Sequence, residues 1–240
     1  MQHSLKQEQL SVSEQNVSYY DEIAGQYDKI LDEDHSNKII REKVASIFRQ
    51  LLCCGLVLDF GGGTGKDLEW LVGKGYQVIF CEPSLKMREK AIRLSKNSLQ
   101  QNDIVFLENA ASDFATWQTN LPFSQKADAV LANFAVINNI PDIELLFKNL
   151  SLVMQPGGHL LMLVLKSDFK KRWRANRRAT FLSLFTAATV TADTQFKQKR
   201  QRVHLYTVQK IKKMACAYFH FHGSRLLKEK DFKLIHLSRK

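Results

Sequence analysis

After the first forty residues, short apolar runs alternate along the chain with longer amphipathic stretches. Five runs are predicted as β-strands because each is apolar and is bounded by Gly, Pro, Asn or Asp. Strands alternating with helices predict an α/β fold with a Rossmann-like, mostly parallel sheet and helices on both faces. The predicted strands are Leu56–Phe60, Gln77–Cys81, Ile104–Leu107, Ala127–Ala132 and His159–Leu165, and the helices between them are Asp67–Lys74, Ser84–Lys96 and Ile143–Val153.

The segments on either side of this alternating core have a different pattern. Two amphipathic stretches precede the first strand, and we expect them to form helices that cap the sheet. After the fifth strand, two more strand-like runs suit an antiparallel pair that closes one edge, which gives a seven-stranded sheet. The flanking elements are the helices Val17–Asp28 and Asn37–Leu52, a long helix Asp168–Ala187, a strand-like Arg202–Tyr206, a helix Val208–Cys216, and the closing runs Tyr218–His222 and Phe232–Leu237.

The chain has 240 residues, 45% hydrophobic and 25% charged, as expected for a globular protein. It shows no internal repeat and no linker rich in Pro, Gly or Ser. We therefore predict a single domain over 1–240, with capping helices in 1–52, the binding core in 53–165, and a basic helix with the closing strands in 166–240.

The longest strongly apolar run, Leu160–Leu165, is far shorter than the roughly 18 residues that span a bilayer. The polar N-terminus lacks the apolar region of a secretory signal, and we expect a cytoplasmic protein. The four cysteines have no CxxC spacing, and three lie in apolar sequence. They are predicted to be buried free thiols, with neither a metal site nor a disulfide framework.

Charge is distributed unevenly along the chain. Residues 166–240 contain 20 Lys and Arg against 4 Asp and Glu, an excess of 20 − 4 = +16, so the rest carries 11 − 16 = −5. The basic part suits an anionic substrate, an acidic partner protein, an anionic membrane surface or RNA. A solvated surface that keeps the protein soluble is the alternative interpretation.

The segment with the most specific chemistry is a glycine loop after the first strand. Four glycines in five positions, Gly61 to Gly65, separate an apolar strand from a helix. Glycine allows a sharp turn at positive φ and lets a ligand lie directly on the main chain. The free N–H groups of the following helix can receive a negatively charged group such as a carboxylate.

An acid follows at the position that a nucleoside-binding site requires. Glu82 ends the second strand, seventeen residues after Gly65, at the sheet edge where open α/β folds bind ligands. A carboxylate there can accept hydrogen bonds from both hydroxyls of a ribose. The dinucleotide fingerprint GxGxxG places its third glycine differently, because here Gly61, Gly63 and Gly65 are spaced GxGxG, with Asp59 two residues before the first.

This spacing with its upstream acid resembles the first motif of class I SAM-dependent methyltransferases. The segment from Tyr20 to Asp28 resembles the N-terminal helix of the subgroup that acts on small molecules and lipids. Further segments resemble that family in the same order and span about residues 17 to 165. They are YDEIAGQYD from Tyr20, CEPS from Cys81, LENA from Leu107, ADAVLANF from Ala127 and MQPGGHL from Met154.

The resemblance implies S-adenosyl-L-methionine (SAM) as the cofactor and a role for each matching residue. The glycines surround its methionine end, Asp59 orients their loop, and Glu82 holds the ribose. Other positions are expected to contact the adenine, the sulfonium or the incoming substrate. Those toward the adenine are Pro83, Met87, Asn109 (where many members carry Asp) and Ala110, while Asn133 and Phe134 lie at the catalytic edge.

Two tyrosines in the first predicted helix are candidates for the same site. Tyr20 and Tyr27 are seven residues apart and therefore share one helix face. Their rings can close over the sulfonium or the substrate through the attraction between an aromatic face and a cation. Packing of the helix onto the sheet is the alternative interpretation.

Methyl transfer demands little of side chains, because holding nucleophile, methyl carbon and sulfur in line supplies much of the acceleration. A general base is needed only for an acceptor that must lose a proton as it attacks. His35 is the candidate base, and His204 with Tyr206 is a weaker candidate pair.

The acceptor is predicted to be a small molecule or a lipid-like compound, methylated on oxygen, with nitrogen and carbon left open. The segment from Asn133 to Val136 lacks the prolines of nucleic-acid amino methyltransferases, which makes nucleic acid the less favoured partner. The basic segment from Lys170 to Arg178 suits a lipid surface, a lid, or an exposed helix end. The alternatives are an RNA methyltransferase, a nicotinamide-dependent oxidoreductase and a non-catalytic SAM-binding protein.

Overall fold

The computed structural model describes residues 2–32, 34–98, 103–167, 174, 189–196, 199–229 and 231–240. Their principal elements, in chain order, are α1 Gln2–Asp32, α2 His35–Leu51, β1 Leu56–Phe60, α3 Leu68–Val72, β2 Gln77–Cys81, α4 Leu85–Ser98, β3 Ile104–Phe106, α5 Asn109–Ser112, β4 Ala127–Ala132, α6 Ile143–Val153, β5 Met154–Leu165, β6 Val190–Phe196, β7 Lys199–Leu205, α7 Val208–Ala215, β8 Phe219–Leu227 and β9 Phe232–Arg239. Two 3-10 turns, Phe114–Thr116 and Val136–Asn139, flank β4.

Seven strands form one sheet in the order β3-β2-β1-β4-β5-β9-β8. The five strands from β3 to β5 are parallel, and β9 and β8 add an antiparallel edge. This confirms the fold class predicted from the alternating pattern. The chain runs outward from β1 through β2 to β3 and then returns to β4 on the other side of β1. The carboxyl ends of β1 and β4 are therefore the switch point where open α/β sheets bind ligands.

Apolar side chains pack against both faces of the sheet. Successive residues of a strand point to opposite faces, so Val57 and Leu58 enter different cores. The core around Leu58 includes Trp117 and Phe147, while that around Val57 includes Phe48 from α2. Parallel strands covered on both sides consist of continuous apolar residues, and such runs predict buried strands.

The polar elements depart most from the sequence prediction. Helix α1 has 31 residues and starts well before the predicted Val17. Between β5 and α7 the sequence predicted one strand, Arg202–Tyr206. The structure has two strands there, β6 and β7, which pair as an antiparallel hairpin with Val190 opposite Leu205. The hairpin carries many charged and polar residues, so it lacks the apolar run that the prediction relied on. The predicted helix Asp168–Ala187 lies outside the described residues.

The four cysteines are free thiols, but their predicted burial was wrong for three of them. Only Cys81 is buried, whereas Cys53, Cys54 and Cys216 are exposed. Cys53 and Cys54 occupy a bend between α2 and β1 and do not belong to the apolar strand beside them. Within the described ranges no helix combines the length and apolar character needed to cross a membrane, and no three His, Cys, Asp or Glu residues are grouped so as to hold a metal ion.

Candidate cofactor and acceptor site

The glycine loop leaves β1 at the switch point and turns through three left-handed residues. Gly61, Gly63 and Gly65 have φ values of 71°, 60° and 83°, which side-chain-bearing residues rarely adopt. A Cβ on Gly61 would lie 2.5 Å from a methyl carbon of Val136, so that glycine is required by packing. A Cβ on Gly63 would meet only the ring of Tyr27, at 3.9 Å. Gly63 is therefore the open point of the loop.

Glu82 faces this open point from the end of β2. Its carboxylate accepts hydrogen bonds from the backbone N–H of Gly63 at 2.9 Å and of Ser84 at 2.8 Å. An ionised carboxylate has about four accepting positions, which leaves two for further donors. The side chain is buried, and burial raises the pKa of Glu82 to about 7. The carboxyl group therefore changes charge near neutral pH and can receive two hydroxyl groups.

Asp59 lies beneath the same loop, near the backbone of Gly62. Its carboxyl group is buried, and among the described residues nothing donates a hydrogen bond to its Oδ2 atom. Burial, reinforced by the nearby Asp67, raises the pKa of Asp59 well above its usual range. A buried carboxyl oxygen without a donor is costly, so the site is suited to a ligand that brings one.

Arg41 of α2 brings a guanidinium to this site that the sequence did not predict. Its guanidinium pairs with Asp67 at 2.5 Å and lies over the ring of Phe134, 4.7 Å from the centroid. Asp67 also accepts hydrogen bonds from Trp70 Nε1 at 2.8 Å and Asn133 Nδ2 at 3.0 Å. Helical spacing in the sequence could have predicted that Arg41 lies near the buried face of α2. Position 41 is four residues after Asn37 and three before Val44, both on the buried face of α2.

Asn133 is therefore held by Asp67 at the end of β4, directly before two residues in unusual conformations. Phe134 and Ala135 have φ values of 47° and 65°, although neither is glycine. Non-glycine residues in this region store strain and are concentrated at functional sites. The strained turn directs the 3-10 segment Val136–Asn139 over the glycine loop, where Val136 contacts Gly61.

Helix α1 lies across the glycine loop and the start of α4. Asp28 accepts a hydrogen bond from Thr64 Oγ1 at 2.5 Å and pairs with Lys90 at 2.8 Å. Asp21 accepts hydrogen bonds from Ser84 Oγ at 2.7 Å and from the Lys86 backbone N–H at 3.0 Å. These contacts hold the tyrosine face of the helix toward the site.

The rings of Tyr20 and Tyr27 meet nearly at right angles, with centroids 6.0 Å apart, as their spacing predicted. Tyr27 stands next to Gly63, and the ring of Tyr20 lies beside that of Tyr27. Met87 of α4 packs against Ile23 of α1, so the Met87 side chain is buried between the two helices. Burial raises the pKa of both tyrosines, which keeps their hydroxyl groups protonated at neutral pH.

A polar cluster joins α1, the segment after β4 and the β6–β7 hairpin. The Tyr20 hydroxyl oxygen accepts hydrogen bonds from Asn139 Nδ2 at 3.1 Å and Gln201 Nε2 at 2.8 Å. Gln201 Nε2 also donates to Asn139 Oδ1 at 2.7 Å, and Asn16 Nδ2 donates to the Asn139 carbonyl at 3.1 Å. The cluster joins three segments that are far apart in sequence, and no motif signalled Asn16, Asn139 or Gln201.

The remaining predicted residues lie after β2 and at the start of α5. Pro83, Asn109 and Ala110 are exposed, with Asn109 at the first residue of the short helix α5, where a loop was expected. Arg88 donates to the Asn109 side chain and, at 2.9 Å, to the Glu82 carbonyl. Arg88 thus connects the start of α5 to the Glu82 segment.

Neither candidate histidine is brought to the glycine loop by a contact among the described residues. His35 is exposed at the first residue of α2. His204 is buried and stacks on Tyr206, with ring centroids 6.0 Å apart, and alternation along β7 puts it on the face opposite Gln201. Burial lowers the pKa of His204 to about 4, so its imidazole is neutral at pH 7.

The family model described as "Methyltransferase domain" matches residues 27–218 of this chain. The chain belongs to the class I SAM-dependent methyltransferases. Solved structures with the same fold include the DhpI–SAH complex, with a TM-score of 0.65, 17% identity, and coverage of 95% of this chain and 97% of that one. The 1,6-didemethyltoxoflavin-N1-methyltransferase of Burkholderia thailandensis has a TM-score of 0.66 and 13% identity, with coverage of 93% and 87%.

A curated relative acts on RNA. The tRNA 5-carboxymethoxyuridine methyltransferase of Escherichia coli (strain K12) is 29% identical over 107 residues. The match spans 45% of this chain and 39% of the length of that relative. This methyltransferase is therefore similar to that relative over less than half of each protein.

As a member of this family, the methyltransferase takes SAM as its cofactor, and the residues at the switch point fit that molecule. The open backbone at Gly63 leaves room for a ligand beside the loop. Glu82 has two free accepting positions for hydroxyl groups, and Asp59 has an oxygen that needs a donor. These features match the ribose and the ammonium group of SAM.

Proposed function

We propose that this methyltransferase transfers a methyl group from SAM to a small-molecule or lipid-like acceptor, with oxygen as the accepting atom. SAM supplies a methyl group on a positively charged sulfur, already activated for displacement. The observation that carries the proposal is the polar cluster of Asn16, Tyr20, Asn139 and Gln201. Its Tyr20 ring contacts Tyr27, the neighbour of Gly63.

In this proposal the chain's residues hold each part of SAM. Glu82 accepts hydrogen bonds from the ribose hydroxyls, and the backbone from Gly61 to Gly65 approaches the methionine end. Arg41 supplies a positive charge for its carboxylate, and Asp59 accepts from its ammonium group. Asn133 acts through Asp67, which orients the Arg41 guanidinium. The adenine lies toward Pro83, Asn109 and Ala110, at the exposed end.

Tyr20 is the residue that we expect to contact the acceptor. Its oxygen accepts two amide N–H groups, so its own proton is left to donate elsewhere. Hydrogen bonds from Gln201 and Asn139 lower the pKa of Tyr20 against the larger effect of burial, which strengthens its O–H as a donor while keeping it protonated. A phenol that donates suits an acceptor oxygen with free lone pairs better than a protonated amine.

None of the four cluster side chains is a base at neutral pH. An acceptor oxygen that is already ionised, such as a carboxylate, needs no base during attack. We therefore favour acidic oxygen acceptors, for which the chain's task is to align the reacting atoms and exclude water.

RNA is the second candidate acceptor, supported by the tRNA-methylating relative and by the basic C-terminal part of the chain. Phosphates attract clustered Lys and Arg side chains in a salt-dependent way. This candidate needs the C-terminal part to contribute phosphate contacts, whereas the small-molecule candidate needs only the cluster around Tyr20.

The test separates these acceptors with SAM labelled in its methyl group. A native host extract is divided into metabolite, lipid and RNA fractions, and each is incubated at low salt with wild type, with Tyr20→Phe, and with Tyr19→Phe as the matched control. We expect label in the metabolite or lipid fraction, strongly reduced by Tyr20→Phe only. Label confined to RNA would favour the second candidate, and SAM binding without label in any fraction would indicate a non-catalytic protein.

A further inference from the structure

The bend between α2 and β1 carries two adjacent exposed thiols that the methyltransferase site does not use. The sulfur atoms of Cys53 and Cys54 lie 3.8 Å apart and share a hydrogen bond. Both side chains point into solvent, so a reagent can reach both sulfurs at once.

The backbone around the pair is tethered on both sides. The Leu52 N–H donates to the Phe48 carbonyl at 3.0 Å, and the Gly55 carbonyl accepts from the Gln77 N–H at 3.1 Å. Asp128 accepts from the Leu56 N–H at 2.9 Å. The two thiols are therefore presented from a fixed turn, which reduces the entropy lost when one ligand binds both.

The sulfur separation matches a single bridging atom. A single atom bonded to both sulfurs at about 2.3 Å holds them roughly 3.3–3.8 Å apart when the angle between the two bonds is about 90–110°. A direct disulfide fits less well, because neighbouring Cα atoms are about 3.8 Å apart while disulfides usually need roughly 4.4–6.8 Å. The pair thus favours a bridge over oxidation.

The bridging species must need only two sulfur ligands from the protein. A structural zinc ion takes four protein ligands, and the described part of the chain offers no group of three that could hold a metal. A trivalent organoarsenical forms two arsenic–sulfur bonds and keeps its third bond to carbon. We propose that Cys53 and Cys54 form a dithiol site for trivalent organoarsenicals.

The reaction is a condensation without oxidation or reduction. Phenylarsine oxide has one oxygen on trivalent arsenic. Two arsenic–sulfur bonds form as the arsenic–oxygen bonding is lost, and the two thiol protons leave with that oxygen as one water molecule. Selectivity comes from chelation, since the hydrogen bond with Cys53 raises the pKa of the Cys54 thiol and disfavours its reaction alone.

The site lies at the amino end of β1, and the five residues of that strand separate it from the glycine loop. At about 3.3 Å per residue, the separation is roughly 16 Å. Occupation of the dithiol site should therefore leave SAM binding unchanged, and the proposal stands independently of the proposed acceptor.

The test uses the full chain and phenylarsine oxide at equimolar concentration, followed by excess monothiol and intact-mass measurement. Wild type and Cys216→Ser, which lacks the other exposed thiol, should retain one phenylarsenic group, and an added dithiol should remove it. Cys53→Ser and Cys54→Ser should each lose at least about ten times more adduct to the monothiol, with melting temperatures near that of wild type. Retention by both serine variants, or release from wild type by the monothiol, would overturn the proposal.

Discussion

At the scale of single residues, Glu82 is the acid whose surroundings make the most specific prediction about cofactor binding. It is buried, which raises its pKa to about 7, and it is already bonded to two backbone N–H groups. Hydroxyl donors on SAM stabilise the ionised form further. Binding of SAM should therefore be linked to loss of the Glu82 proton.

This linkage predicts a pH-dependent SAM affinity. A carboxyl group with a pKa of about 7 is mostly protonated one unit below it and mostly ionised one unit above it. Affinity should rise up to about tenfold between those two pH values, because only the ionised form accepts both hydroxyls. Calorimetric titration at several pH values measures it. Glu82→Gln should bind more weakly at high pH and remove most of the dependence, and an unchanged profile would rule out this role.

The residues of the site differ in how far the sequence could predict them. Gly63 and Glu82 follow strands directly, so spacing along the chain places them at one edge. Arg41, Asn139 and Gln201 belong to three separate elements, and only tertiary packing brings them to Asp67 and Tyr20. His35 was selected by residue type alone, and it is exposed on α2.

At the scale of elements, α1 is attached to the cofactor site mainly by two acids on one face. Asp28 binds the glycine loop through Thr64 and binds α4 through Lys90, while Asp21 binds the start of α4. The only buried apolar residues of its described face are Ile23 and Ala24. The position of α1 therefore depends on these polar contacts together with the packing of Ile23 and Ala24 against Met87.

We expect Asp28→Ala to loosen α1 over the site. Loss of the contacts with Thr64 and Lys90 should cost about 1–2 kcal/mol and accelerate backbone hydrogen exchange between Asn16 and Tyr27. Glu14→Gln is the control, because Glu14 is exposed on the same helix. Equal exchange rates in the two variants would show that Asp28 does not hold the helix.

The elements that the sequence predicted well are those buried on both faces. β1 and β4 are nearly continuous apolar strands, so their positions were confirmed to the residue. β8 extends to Leu227, whereas the predicted strand ended at His222. The prediction stopped early because the second half of the strand is polar and mostly exposed. The β6–β7 hairpin was only half predicted for the same reason, although it carries Gln201.

At the scale of the whole molecule, the antiparallel edge carries a histidine cluster away from the cofactor loop. His159 Nδ1 and His236 Nε2 are 3.1 Å apart, and the His222 ring stacks on His236 at 4.5 Å. Burial and the neighbouring histidines lower the pKa of His236 to about 4, and burial also lowers the pKa of His159. Three strands of the sheet meet at these rings.

This cluster predicts a loss of stability in mild acid. In the unfolded chain histidine gains a proton near pH 6.5, whereas folded His236 stays neutral until about pH 4. The unfolded state binds more protons in that window, so stability is present above it and falls as the pH decreases through it. His236→Gln should reduce this loss by about 1 kcal/mol after solvent screening. Thermal melts across the window test it, and a pH dependence equal to that of wild type would exclude this cause.

The central claim is that the backbone at Gly63, opposite Glu82, binds SAM, and calorimetric titration of matched glycine variants tests it most directly. Gly63 and Gly75 both have positive φ and room for a Cβ, with no atom closer than 3.9 Å, but only Gly63 faces the site. Both alanine variants should lose about 1 kcal/mol of stability. Wild type and Gly75→Ala should bind one SAM per chain, and Gly63→Ala should bind at least about tenfold more weakly. Equal affinities in all three proteins, or no heat from wild type, would contradict the account.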